Sequence, residues 1–174
     1  MRLFFVLLFL IACQSSYQKK INNPSNNHID NFFINANKTI IQNEELKIDS
    51  ILESSTMSFV KHHLGIRFFL EDTRTSTVSA EYPKDGDLVI IEYSCHVFDD
   101  LNDLMIDNIV DTLGFQIGYS KQMRGLNYAI KLLSVGDKAK IIIPSYLGFG
   151  MSGYGKVVPP YSTLVLNVKL LNIE

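Results

Sequence analysis

The chain has 174 residues, of which 47% are hydrophobic and 20% are charged, and its formal net charge at pH 7 is -2. A chain of this length and composition fits one globular domain with attached segments. The charge is too close to neutral to provide the basic patch that nucleic acid requires, so we expect no nucleic-acid partner.

The amino terminus has the pattern of a secretory signal. Arg2 precedes an unbroken apolar run over residues 3–12. This run is too short to span a bilayer, which takes about 20 residues, but it has the length of a signal-peptide hydrophobic region. Residues 1–12 are therefore predicted to be a signal peptide. The run ends in Leu10-Ile11-Ala12-Cys13, which looks like a bacterial lipobox. The alternative is an ordinary signal peptide followed by an incidental cysteine.

A lipobox implies cleavage before Cys13 and lipidation of its thiol. Because each buried CH₂ contributes about 0.8 kcal/mol, several acyl chains would hold the protein firmly at a membrane. We therefore predict a lipid-anchored protein of the bacterial cell envelope, either facing the periplasm or attached to the outer membrane. The other cysteine is Cys95, so a lipidated Cys13 leaves it without a disulfide partner. We interpret Cys95 as a small buried apolar residue rather than a reactive thiol.

Two different segments follow the lipobox. Residues 13–38 are polar and rich in asparagine, a composition that predicts a disordered tether. Residues 39–64 predict a helix that begins at Asn43, has Glu44 and Glu45 in its first turn and stops at Gly65. One side of this helix carries Ile48, Ile51, Leu52, Ser55 and Phe59, and its last turn carries His62 and His63. We expect the apolar side to pack either on the following domain or on a partner protein of the envelope.

The remaining residues, 65–174, alternate between strand and helix patterns. Residues 65–71, 88–98, 139–143 and 163–173 predict strands. A short helix that ends at Gly136 is predicted from apolar residues at helical spacing. These are Leu126, Ala129, Ile130 and Leu133. A short helix with strands on both sides must lay its apolar face on a sheet, so the predicted class is α+β.

Several short motifs in this region occur together at a characteristic spacing. They are Gly118, Met123-Arg124-Gly125, Ser134-Val135-Gly136, Ala139-Lys140, Phe149-Gly150, Val157-Val158-Pro159-Pro160, Thr163-Leu164-Val165 and Leu170-Leu171. Together with residues 82–93 upstream, they closely resemble the FKBP family, the macrolide-binding peptidyl-prolyl isomerases. The resemblance covers residues 65–174. It implies an antiparallel, half-open twisted sheet wrapped on one short helix, to which the 39–64 helix would be an addition.

The resemblance also implies a proline-binding pocket. Its floor would be Leu126, and its walls would be Tyr93, Leu113, Val158 and Leu166. Substrate peptides would bind backbone groups of Gln122 and Met123. Asp107 would be the polar residue at the rim with Ile106 as its apolar neighbour, and Phe149 and Tyr154 would cover the substrate. Tyr93, Asp107 and Phe149 are thereby implied to be the catalytic set.

Such a pocket can act without a nucleophile, metal or cofactor, and we expect none. The prolyl amide only has to twist over a barrier of about 18–20 kcal/mol, and an apolar cleft that excludes water and offers hydrogen bonds to the twisted form lowers that barrier. Four positions that are usually aromatic in the family are aliphatic here, namely Ile106, Leu113, Leu126 and Leu166. Phe149 replaces a usual tyrosine. We therefore expect weaker macrolide binding and reduced but surviving activity. Each pocket residue taken alone is also explained as a core residue, so the functional interpretation depends on the whole set.

Other motifs do not lead to a function. Gly148-x-Gly150-x-x-Gly153 has the spacing of a dinucleotide-binding loop, but it lies between two predicted strands with no helix after it. The four histidines include no pair four residues apart with a carboxylate, so no metal site is predicted. They are His28, His62, His63 and His96.

Three functions are consistent with this pattern. The first is a prolyl isomerase, or rotamase, of the cell envelope that assists the folding of exported or surface proteins. The second is a non-catalytic FKBP-fold scaffold of a surface machinery, which the aromatic-to-aliphatic changes in the pocket suggest. The layout of the chain is also similar to the gliding-motility-associated FKBP-type lipoproteins. The third is a chaperone that holds unfolded chains on the surface of residues 148–161.

Overall fold

A computed structural model describes residues 24–71, 81–105 and 111–174. The chain divides into two compact units, Met1–Asn37 and Lys38–Glu174. In the first unit, the exposed rings of Phe32 and Phe33 meet edge to face, with their centroids 5.8 Å apart. The second unit contains the sheet and the candidate site. The predicted signal peptide and Cys13 lie outside the described residues.

The first helix, α1, spans Pro24–Leu52 and differs from the helix predicted for residues 43–64. It begins within the polar segment that composition predicted to be a disordered tether, and its first residue is a proline, which the first turn of a helix tolerates. The helix also ends earlier than predicted. The serine-rich stretch after Leu52 forms local hydrogen bonds, such as that from the Met57 amide to the Ser55 hydroxyl, which compete with helical ones.

The residues after α1 form part of the sheet instead of a last helical turn. Strand β1, Val60–Lys61, pairs with β2, Arg67–Glu71. His62 and His63 therefore lie in the connection between two strands, and their rings are 4.0 Å apart. Phe59 lies beyond the helix but still packs on the cluster that contains Ile48. Most of the residues predicted to form the apolar side of the helix therefore do pack together, but not all of them are helical.

Within the described ranges the sheet has six strands, and every neighbouring pair of them is antiparallel. The remaining four strands are β3, Leu88–Val97; β4, Asp111–Gln116; β5, Lys138–Ile143; and β6, Leu164–Ile173. Their order across the sheet is β1-β2-β5-β6-β3-β4. The strands predicted at 65–71, 88–98, 139–143 and 163–173 are thus present to within two residues.

One face of the sheet packs on a short helix, α2, which spans Arg124–Ile130. Its residues Leu126, Ala129 and Ile130 are buried in a cluster with alternate residues of β3, β5 and β6. The helix ends before Gly136, where we had predicted its cap. The amides of Leu132 and Leu133 bond to carbonyls three residues back and tighten the last turn. Gly136, with φ of +92°, instead forms the turn into β5.

The other face of the sheet packs on α1. Ile48 is buried there with Phe98, Leu104, Ile142 and Val165, and Ile51 and Leu52 pack against the same cluster. Of the two surfaces proposed for the apolar side of this helix, the domain itself is therefore the one that covers it. No helix in the described ranges combines the length and apolar character needed to cross a bilayer.

An ionic network adds to this packing between α1 and β2. The guanidinium of Arg67 is only 1% exposed, and its Nη2 lies 2.8 Å from a carboxylate oxygen of Glu45. Asp49 accepts a second hydrogen bond from Arg67 Nε at 2.9 Å, and Lys61 pairs with both carboxylates. Because the buried charge is paired and hydrogen-bonded, the cost of removing it from water is offset.

Candidate active site

Seven of the nine described residues of the predicted site lie in or against one apolar cluster at the α2 face of the sheet, and Gln122 and Tyr154 are not among its members. Leu126, Val158 and Leu166 are members of its buried core, at 1%, 9% and 0% exposure. Four more predicted residues are half-buried or packed at its edge, namely Tyr93, Leu113, Met123 and Phe149. These seven residues come from three strands, one helix and two loops, so their meeting is a property of the tertiary structure.

The strand register explains why the wall residues share this side of the sheet. Cys95 pairs with Leu166, and Ile91 pairs with Leu113. Because side chains of a strand alternate between the two faces, Tyr93 points to the same side as its neighbours two residues away. Its partners across the ladders are Val168 on β6 and Asp111 on β4.

Leu126 lies in the first turn of α2, where the helix comes close to the sheet. The residue before it, Gly125, is buried, and a Cβ added there would lie 2.4 Å from Cγ2 of Ile143. Only glycine lets the start of the helix approach β5 this closely. The Arg124-Gly125 motif therefore places Leu126 at the base of the cluster.

The segment that we predicted to bind peptide backbone, Gln122 and Met123, is held by a residue that sequence reasoning did not single out. The side chain of Asn127 donates to the carbonyls of Gln122 and Met123, at 3.4 and 3.2 Å, and accepts from the Gly118 amide at 2.9 Å. An asparagine four residues after Met123 in a helix is the signal that could have revealed this bond. Asn127, which lies on α2, therefore holds the Gln122–Met123 segment at the start of that helix.

The loop between β5 and β6 covers the cluster and is internally bonded. The rings of Phe149 and Tyr154 stack with their centroids 4.9 Å apart and their planes at 26°. Tyr154 exchanges backbone hydrogen bonds with Val158, and the Tyr161 amide donates to Gly150 O at 2.8 Å. Phe149 is half-buried on the cluster, whereas Tyr154 is 63% exposed. The loop thus presents an aromatic pair above the predicted pocket.

Among the half-buried residues packed against this cluster, Tyr93 carries a hydroxyl and Cys95 carries a thiol. Burial raises the pKa of the Tyr93 phenol above its ordinary value, and the charge of Asp111 adds to that effect. Burial alone raises the pKa of Cys95 to about 11. The phenol therefore remains a hydrogen-bond donor at neutral pH, and the protonated thiol fits its interpretation as a buried apolar group rather than a nucleophile.

Two of the predicted site residues, Ile106 and Asp107, lie outside the described residues. The described chain stops at Met105, the end of a short 3₁₀ helix over Leu101–Met105, and resumes at Asp111. The rim carboxylate assigned to Asp107 stays a prediction.

A polar cleft of about 590 Å³ adjoins the Gln122 rim. It is lined by Gly118, Tyr119, Ser120, Gln122, Arg124, Asn127, Tyr128, Lys131 and Asp85. Among these residues, Lys131 Nζ forms an ion pair with Oδ1 of Asp85 at 2.8 Å. Within the part of the chain that is described, no three His, Cys, Asp or Glu side chains are placed to hold a metal ion.

This arrangement can bind and twist a prolyl peptide without covalent chemistry. The apolar cluster can accept a proline ring, the Tyr93 phenol can donate a hydrogen bond, and the aromatic loop can exclude water from the amide. Amide rotation gains from an environment that solvates the carbonyl oxygen and the imide nitrogen unequally, which such a pocket offers.

Comparison with known proteins agrees with this geometry. The profile of the family described as FKBP-type peptidyl-prolyl cis-trans isomerase matches residues 79–171. FK506-binding protein 1 of Kluyveromyces lactis is 40% identical over 99 residues, which are 55% of this chain and 84% of that protein. Human peptidyl-prolyl cis-trans isomerase FKBP14 is 36% identical over 94 residues, which are 52% of this chain and 44% of that protein.

Solved structures confirm the predicted fold class. A peptidyl-prolyl cis-trans isomerase from Pseudomonas syringae superposes with a TM-score of 0.59 at 17% identity, covering 79% of this chain and 95% of that one. FkpA from Escherichia coli superposes with a TM-score of 0.53 at 20% identity, covering 89% of this chain and 74% of that one. At these identities the likeness concerns the fold, whereas the family profile concerns the sequence itself. The chain belongs to the FKBP-type peptidyl-prolyl cis-trans isomerases.

Proposed function

We propose that this isomerase acts in the bacterial cell envelope, where it accelerates the folding of exported or surface proteins by binding their Xaa-Pro segments. The observation that carries the isomerase part of the proposal is the convergence of seven predicted pocket residues, including Phe149, on one cluster, with Tyr154 stacked on Phe149. The envelope location rests on the Leu10-Ile11-Ala12-Cys13 motif and the apolar run before it. Lipidation of Cys13 would hold the enzyme at a membrane surface.

Isomerase activity can be measured by exchange spectroscopy on a panel of Xaa-Pro peptides, with the protein carrying Cys13→Ser so that it stays soluble. We expect enhancement at micromolar enzyme, with a smaller rate than a family member whose pocket is aromatic. Leu166→Ala removes a wall of the pocket and should abolish the enhancement. A wild-type rate equal to the uncatalysed rate for every peptide would discard the catalytic proposal.

The anchor requires a separate experiment. In a bacterial host, the wild-type chain should fractionate with membranes and incorporate radiolabelled fatty acid. The Cys13→Ser variant should not incorporate fatty acid, and any part of it whose signal peptide is removed should be released in soluble form. Equal labelling of the two proteins would show that Cys13 is not the lipidated residue.

A non-catalytic scaffold is the second candidate function, and the exposed apolar side chains of α1 favour it. Phe32, Phe33 and Ile34 are each at least 60% exposed, and Leu46 is 67% exposed. A partner protein of a surface or gliding machinery would bind exposed apolar residues such as Phe32 and Phe33 in the first unit, or Leu46 in the second. The scaffold predicts that Tyr93→Phe and Leu166→Ala leave the cellular phenotype intact while Phe32→Ser/Phe33→Ser removes it.

A further inference from the structure

The carboxylate of Glu44 on α1 binds both ends of the loop that covers the candidate pocket. One of its oxygens accepts hydrogen bonds from the Ser145 amide at 2.6 Å and from the Thr163 hydroxyl at 2.6 Å. The other oxygen accepts from the Ser145 hydroxyl at 2.8 Å. Ser145 and Thr163 are both buried, at 3% and 9% exposure. One side chain thus joins the two points where the loop leaves and re-enters the sheet.

The hydrogen bonds to Glu44 matter because Ser145 and Thr163 lie where the β5–β6 ladder ends. Ile143 on β5 and Leu164 on β6 form the pair that closes the β5–β6 ladder. Ser145 and Thr163 lie just beyond that pair, at the base of the loop, where no strand hydrogen bond holds them together. Glu44 therefore continues the ladder by one more connection, through a side chain from another element.

A second contact from the same helical turn supports the first. The Tyr146 hydroxyl donates to the Glu45 carboxylate at 2.7 Å and also contacts the carbonyl of Leu64 at 3.1 Å. Burial and the negative charge of Glu45 raise the pKa of the Tyr146 phenol well above its ordinary value, so it stays a donor. The first residues of the loop are thus held by two neighbouring carboxylates.

The loop can transmit this restraint to the pocket because it is bonded within itself. The Tyr161 amide bonds to Gly150, and Tyr154 pairs with Val158, whose side chain is part of the buried cluster. A shift at the base would therefore move Phe149 and Val158 as well. Helix α1 lies outside residues 79–171, which the family profile matches.

We propose that Glu44 is a positioning residue for the isomerase site: the amino-terminal helix uses it to hold the substrate-covering loop in its binding conformation. The inference rests on the proposed isomerase function and adds a role for a helix that the family domain itself does not include. The chemical consequence is on binding, because Glu44 touches the loop base and no reacting atom. Loss of the contact should weaken the binding of the prolyl peptide more than it slows isomerisation of the bound peptide.

The test compares Glu44→Ala with Asp49→Ala in the full chain carrying Cys13→Ser. Asp49 lies on the same helix and ties it to Arg67 and Lys61, away from the loop. Both variants loosen the attachment of α1, but only Glu44→Ala frees the loop. We expect the KM for a Leu-Pro peptide to rise on the order of tenfold in Glu44→Ala with kcat nearly unchanged, because hydrogen bonds to a charged group are lost. Asp49→Ala should leave KM near the wild-type value.

Graded variants separate positioning from folding. Glu44→Gln keeps an acceptor for the Ser145 amide and the Thr163 hydroxyl and should recover most of the wild-type KM. Thr163→Val keeps the side-chain shape but removes the hydrogen bond from the Thr163 hydroxyl to Glu44. It should raise KM by a smaller factor than Glu44→Ala. If Glu44→Ala fails to fold, these two variants still decide the question: a wild-type KM in Thr163→Val together with a KM raised about tenfold in Glu44→Gln would overturn the proposal.

Hydrogen exchange supplies a readout that needs no catalysis. Amides of residues 148–158 should exchange faster in Glu44→Ala than in Asp49→Ala, while amides of β3 and β6 should exchange alike in the two variants. Equal loop exchange and equal KM in both variants would overturn the positioning role. If the wild-type protein shows no isomerase activity, the proposed function fails, and the exchange comparison still tests the loop restraint.

Discussion

The two faces of the sheet are stabilised in different ways. The α2 face is apolar throughout its buried cluster, from Val89 and Ile91 on β3 to Leu170 on β6. The α1 face combines a smaller apolar cluster with the buried Arg67 network and the Glu44 contacts. Apolar packing needs no specific partners, whereas charged contacts fix the position of one element against another. The predicted pocket residues gather on the first face, and Glu44, which binds the base of the β5–β6 loop, lies on the element that packs on the second.

The ionic network of the α1 face should give the largest effect when it is broken on one side. Glu45→Gln combined with Asp49→Asn leaves the Arg67 guanidinium buried without a countercharge, and we expect the free energy of unfolding to fall by about 3–5 kcal/mol. Urea denaturation measures the change. Adding Arg67→Met to the double variant should recover a large part of the loss, since an apolar side chain replaces the uncompensated charge. A triple variant no more stable than the double would contradict this account.

Adjacent residues of β5 compare the two faces directly. Ile141 and Ile142 are both 0% exposed, but Ile141 belongs to the α2-face cluster and Ile142 to the α1-face cluster. Each change to alanine should reduce the unfolding free energy by about 2–5 kcal/mol. Only Ile141→Ala should also reduce isomerase kcat/KM, because Ile141 pairs with the wall residue Leu166. Equal losses of activity in the two folded variants would mean that the faces are not functionally distinct.

The pH dependence of stability should come mainly from the α1 face. Burial would by itself raise the pKa of Glu45 and Asp49, but hydrogen bonds from Arg67 and Lys61 outweigh it, so both pKa values lie below their ordinary values of 4.5 and 3.8. Groups with lowered folded pKa values stabilise the protein above the unfolded pKa and lose that contribution as the pH falls through the folded one. We expect the urea midpoint to fall in acid below these values. The Glu45→Gln/Asp49→Asn variant should show a flatter acid profile.

A smaller effect is expected at the cover of the pocket. Phe149→Tyr adds a hydroxyl donor beside the predicted substrate site, and one neutral hydrogen bond is worth about 0.5–1.5 kcal/mol. We therefore expect kcat/KM on a Leu-Pro peptide to rise by about tenfold or less. Phe149→Leu serves as the control, because it keeps apolar volume but loses the stacking with Tyr154. A rate in Phe149→Tyr at or below that of Phe149→Leu would argue against this position for the loop.

The smallest effect should come from an ion pair at the edge of the α1 face. Lys47 Nζ lies 3.2 Å from Asp99, and the two side chains are 61% and 73% exposed. Solvent and salt screen such a pair, so Lys47→Ala should change the unfolding free energy by about 0.2–1 kcal/mol or less. The difference should shrink further at high salt. A loss as large as that of the Arg67 network would show that exposure is a poor guide to the energetics of this helix.

The apolar face of α2 and the alternation of the strands could be predicted because each is a local periodicity. Leu126 and Leu166 lie in one buried cluster for this reason, whereas Val158 lies in a loop and only the family motifs pointed to it; their role as the floor and walls of a pocket stays a prediction. The bounds of α1 could not be predicted in the same way. Its asparagine-rich start has a composition typical of disorder, and its end depends on serine hydrogen bonds that composition does not reveal.

The amino-acid sequence alone determined the family, the α+β class and the apolar cluster, because these depend on motif spacing and on short-range patterns of hydrophobicity. Only the tertiary structure decided what Glu44 and Glu45 do. The sequence pattern predicted Glu44 and Glu45 to be first-turn carboxylates of a helix that begins at Asn43, but α1 begins at Pro24. Their partners in the β5–β6 loop and at its base lie about a hundred residues further along the chain. A hydrogen bond across that separation leaves no local pattern, since it exists only after the sheet and α1 have packed together.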